Sequence, residues 1–162
     1  MILPVGLTKN DTGTTRLDTL AEWAGYLGVA PLVLCLAGVG LLPAFPSQEL
    51  AQRTALAWGA VLLASAAAVH WGFVLAGRLP SAPARIAGAL AAALAGAGGV
   101  VLGGQRGLAL LVVGHGGFWL YEKHCLGDRL PAAYLALRRQ LTFATCMLLA
   151  LTMFVSDAAG LS

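Results

Sequence analysis

Apolar residues in this chain come in five long blocks, each too continuous to be the buried stripe of a soluble helix. The blocks run from about Glu22 to Leu42, Thr54 to Ala76, Ala84 to Gly103, Leu108 to Tyr121 and Leu137 to Val155. A helix needs about 20 apolar residues to cross roughly 30 Å of hydrocarbon at 1.5 Å per residue, and most blocks approach that length. The fourth is the shortest and is expected to use Tyr121 and Lys123 as interfacial and snorkelling ends. The pattern predicts an all-α membrane protein, a bundle of five transmembrane helices. Residues 1–21 are expected to form a polar segment, 22–155 the membrane domain and 156–162 a short tail.

Turn chemistry falls between the blocks. Pro43 and Pro46 close the first, Pro80 and Pro83 bracket the second turn with Ser81 as a cap, and Gly103-Gly104-Gln105-Arg106-Gly107 makes the third. Gly127, Asp128 and Pro131 interrupt the fourth connection. Pro31 lies inside the first block and predicts a kink, with a freed backbone carbonyl that needs a partner.

Composition agrees with the pattern: only 10% of residues are charged, against about 25% in a soluble domain. The distribution of basic residues sets an orientation. With the N-terminus in the cytoplasm, Lys9, Arg16, Arg78, Arg85, Lys123, Arg129, Arg138 and Arg139 fall inside and only Arg53 and Arg106 outside, with the C-terminus outside. The polar first twenty residues and the length of the first block argue for a retained helix and against an export signal. Abundant Ala and Gly fit a bacterial inner membrane, or the mitochondrial inner membrane in a eukaryote.

Candidate chemistry is sparse. His70, in His70-Trp71-Gly72, and His115, among Gly114, Gly116 and Gly117, lie on different blocks, each roughly 10 Å from its inner end. Histidines at a shared depth can hold haem b or a metal, and His70 can also serve a quinone; the alternative is hydrogen bonding across helices. No C-x-x-C-H motif is present, so covalent c-type haem is excluded. Glu22 and Glu122 are the carboxylates expected near Arg138, and Tyr26, Trp71 and Tyr134 are the aromatics of the same end. Arg138 and its neighbours are expected to anchor the helix at the membrane edge or to meet acidic lipid or a partner subunit. Gly88, Ala92 and Gly96 recur every fourth residue and predict close helix packing, with the third helix central or tightly docked, or a homodimer seam. Cys35, Cys125 and Cys146 have no metal or redox spacing. The chain has no phosphate-binding glycine loop, H-E-x-x-H or G-x-S-x-G, and nothing in it suggests nucleic-acid binding.

Three stretches carry a resemblance. They are Ala24-Gly25-Tyr26-Leu27-Gly28-Val29-Ala30-Pro31, Trp58-Gly59-Ala60-Val61 through Val69-His70-Trp71-Gly72, and Leu130-Pro131 through Tyr134-Leu135, Leu137-Arg138 and Leu141-Thr142. Over roughly residues 20 to 155 the chain resembles the uncharacterised family that includes the mitochondrial transmembrane protein sixty-nine and its proteobacterial relatives. Ala133 stands where that family often has Trp. The resemblance implies a protein of energy-transducing membranes and no known reaction.

Three functions are compatible with these features. The first is a non-catalytic accessory or assembly subunit of a larger, respiratory-type membrane complex, in contact with other membrane subunits and with lipid. The second is a haem-, quinone- or metal-binding membrane protein that uses His70, with or without His115. The third is a small-solute carrier working as a homo-oligomer.

Overall fold

The computed structural model describes residues 11–77, 83–126 and 132–161. The expected turn residues Pro80, Ser81, Gly127, Asp128 and Pro131, and the basic residues Lys9, Arg78 and Arg129, lie outside them. The described residues form five α-helices and no strand: α1 (Asp11–Leu41), α2 (Phe45–Leu75), α3 (Pro83–Leu102), α4 (Gly104–Leu126) and α5 (Ala132–Ala158). Four of them, α1, α2, α3 and α5, are long and apolar enough to cross a membrane.

The helices overrun the apolar blocks. α2 begins at Phe45 rather than Thr54 because Pro46 sits in its first turn, where a missing N–H costs nothing. α4 spans 23 residues and is not the short helix its apolar block suggested. Its buried side chains are Leu108, Leu111, His115, Phe118 and Glu122. They recur at alternating steps of three and four, so two of the residues that dilute the apolar block lie on its inward stripe.

α2, not α3, is the centre of the bundle: it packs against all four other helices, while α3 docks on α2 and α4. The small face of α3 packs within the chain. A Cβ on Gly96 would lie 3.3 Å from the Ala60 carbonyl of α2, Ala92 is buried, and the Tyr121 ring of α4 fills the space beside Gly88. The turn from α3 to α4 is the glycine pair Gly103 and Gly104, both at positive φ (62° and 47°), where residues with a Cβ are strained. Beyond it the two backbones meet so closely that a Cβ on Gly107 would collide with the Gly99 carbonyl.

α1 runs through Pro31 without a break. Proline removes the donor for the Leu27 carbonyl and disturbs the turn around it. The indole of Trp58 on α2 donates to the adjacent carbonyl, Gly28, at 2.7 Å. At the far end of the chain, residues 156–161 do not trail away. Gly160 (φ 74°) lets its own N–H reach the Asp157 carbonyl and the Leu161 N–H reach Ser156, which closes α5 in a Schellman motif. Leu161 is buried, and its carbonyl accepts from Gln52 of α2 and Gln105 of α4.

Candidate functional site

At one end of the bundle α2, α4 and α5 each turn a polar residue inward, and the three meet at a single carboxylate. Glu122 of α4 is fully buried. Its Oε2 accepts from Arg138 Nε of α5 at 2.9 Å, and its Oε1 accepts from the Tyr134 hydroxyl at 3.1 Å. His70 Nε2 of α2 lies 3.2 Å from the same Oε1, a close contact whose geometry falls outside a good hydrogen bond. Isolated charge is costly away from water, so a carboxylate here persists only because cation, hydroxyl and imidazole converge on it.

Local sequence explains the convergence. His70 continues the inward stripe of α2 through Gly59, Leu63, Ala66 and Ala67. Tyr134 and Arg138 are one turn apart on α5, so they share a face. An aromatic wall closes the cluster. The Phe118 ring lies 5.1 Å from His70, the Arg138 guanidinium sits 5.8 Å above Phe118, and Phe73 meets Tyr134 edge-on at 5.9 Å. His70 Nδ1 and Arg138 Nη2 are buried and make no hydrogen bond.

The other sequence candidates fall elsewhere. Trp71 is 45% exposed, and no atom comes within 4 Å of a Cβ placed on Gly72. Glu22 is exposed on α1, so of the two carboxylates expected near Arg138 only Glu122 meets it. Tyr26 instead donates to Gln140 of α5 at 2.9 Å, which ties α1 to α5.

His115 does not share a depth with His70. Its Nε2 is 3.0 Å from the Gly59 carbonyl and must donate to it, because a carbonyl only accepts. Gly59 and His70 are about three helical turns apart on α2, so the two imidazoles sit at different levels. They do not fit axial ligation of one haem. No group of three or more metal-ligating side chains occurs among the described residues.

Sequence reasoning treated Glu122 as one optional partner of Arg138 and missed it as a hub. The available signal was the heptad-like placement of Glu122 in register with Leu108, Leu111, His115 and Phe118. It also missed the inward stripe of α5, Thr142, Thr145, Leu149, Thr152 and Ser156, where small hydroxyl residues allow close approach.

The apolar helices and the buried ion cluster together define an all-helical membrane protein. Residues 17–154 match the family described as "Protein of unknown function (DUF3429)", and the chain belongs to it. No curated protein and no solved structure matches the chain.

Proposed function

We propose that this chain is a five-span protein of an energy-transducing membrane, with its N-terminus in the cytoplasm and its C-terminus outside. In this reading it serves there as a non-catalytic accessory or assembly subunit of a larger complex. The carrying observation is that a buried carboxylate, a guanidinium, a phenol and an imidazole from three helices converge on one another. Glu122 gathers Arg138, Tyr134 and His70, which suits a brace that holds three helices in register. The surface at the same end offers exposed aromatic side chains instead, Trp23 at 63%, Tyr26 and Trp71.

The fifth span is supported by length and neighbours. The 23 residues of α4 rise about 34 Å, and α4 lies between α3 and α5, both of them apolar enough to cross. His115 and Glu122 lower its hydropathy yet face inward. The resemblance to the transmembrane protein sixty-nine family supports the bacterial or mitochondrial inner membrane. The test is copurification of the tagged protein, at native level, in mild detergent. Co-migrating membrane subunits are expected, and migration solely as a free monomer overturns the reading.

A further inference from the structure

Beside the Glu122 cluster, on an adjacent face of α4 and α5, lies a groove of about 320 Å³. Its walls are Trp119 and Lys123 of α4 and Ala132, Leu135, Ala136 and Arg139 of α5. The α5 residues fall on one helical face, about 100° around the helix from the face that carries Tyr134 and Arg138. Lys123 and Arg139 are both exposed, one on each wall, and no carboxylate lines the groove among the described residues. The Lys123 ammonium sits 5.5 Å from the Trp119 ring centroid, so the chain holds this cation at the rim. The first turn of α5 adds the positive end of a helix dipole at Ala132. Beside and between the cations the lining is carbon: Leu135 and Ala136 near the level of Lys123, and Trp119 near the level of Arg139. Two cations set on aliphatic and aromatic carbon, with no carboxylate beside them among the described residues, match an amphiphilic anion, a phosphate ester that carries acyl chains.

We propose that the α4–α5 groove binds the headgroup of an anionic phospholipid, with Lys123 and Arg139 on the phosphate and Trp119 beside the glycerol region. This site is independent of the accessory-subunit reading. It requires only that the end of α4 and the start of α5 lie at a membrane surface.

The test titrates the full chain, purified in mild detergent, with phosphatidylglycerol or phosphatidylcholine and counts bound lipid by native mass spectrometry. Phosphatidylglycerol should bind in preference. Lys123→Gln and Arg139→Gln should each weaken it roughly fivefold and the double variant about 25-fold, the scale for one basic side chain at an anionic surface. Both side chains are exposed, so thermal stability should be unchanged and a folding defect is distinguishable. Arg53→Gln and Arg106→Gln, at the other end of the bundle, should retain full affinity. Undiminished phosphatidylglycerol binding by the double variant overturns the proposal. Equal loss in the Arg53 and Arg106 variants overturns it as well, because the effect is then net charge. Complete displacement by millimolar inorganic phosphate overturns the lipid assignment in favour of a free anion.

Discussion

Removing the Glu122 carboxylate leaves the Arg138 guanidinium with no counter-charge and takes away the group beside His70. The Arg138 side chain is 12% exposed and His70 2%. A guanidinium cannot escape by losing its proton, so the penalty falls on packing. Breaking a buried pair by deleting one partner costs about 3–5 kcal/mol. Arg138 lies only two turns into α5 and can lift its head toward the interface, so the lower end of that range applies to Glu122→Ala. Glu122→Gln keeps the volume and an acceptor for Tyr134 and should lose less. The informative variant is Glu122→Gln with Arg138→Gln, which removes both charges. It should recover most of the loss, to within about 1–2 kcal/mol of the parent, because the desolvation cost disappears with the pair. Equilibrium unfolding in mixed detergent–denaturant micelles measures all three. A loss below about 1 kcal/mol for Glu122→Ala, or a double variant as unstable as the summed singles, would refute the reasoning.

Four further outcomes follow from the geometry. Gly107→Ala forces a Cβ against the Gly99 carbonyl and Leu56, and should cost more than about 2 kcal/mol in the same unfolding assay. Gly116→Ala, where a Cβ meets nothing within 4 Å, should be neutral or stabilising by up to roughly 1 kcal/mol; equal effects at the two glycines would show that α3 and α4 are not in tight contact. Trp58→Phe loses the indole bond to Gly28 and should cost about 1 kcal/mol, with a smaller cost in a Pro31→Ala background measured by double-mutant cycle. Cysteine labelling in intact cells should reach Lys123→Cys and Arg53→Cys from opposite sides of the membrane, and labelling of both from one side would remove the fifth span.

What the sequence disclosed depended on the kind of signal each element carries. The apolar blocks were visible because lipid contact demands long runs, and the Gly-Gly turn because few residues tolerate its positive φ. α4 was legible only in part. Its inward face carries His115 and Glu122, so the residues that bind it into the bundle are those that shortened its apolar block. Pairing across helices was the least legible layer. His70 and Glu122 are far apart in the chain, and nothing local says that they meet, or that Glu22 is left outside. The shared depth expected of His70 and His115 failed because distance from a helix end, counted along two different helices, takes no account of their offset.

The carboxylate that lies against His70 is synthesised about fifty residues after it. At about 5–20 residues per second, α2 waits roughly 3 to 10 s with an unmatched imidazole on its inward face. During that interval the bond from Trp58 to Gly28 can already join α1 and α2, and it engages only residues made earlier. Arg138 arrives later still. The cluster therefore closes only after α4 and α5 have emerged, and a chain cut between α3 and α4 leaves His70 without the carboxylate that lies against it.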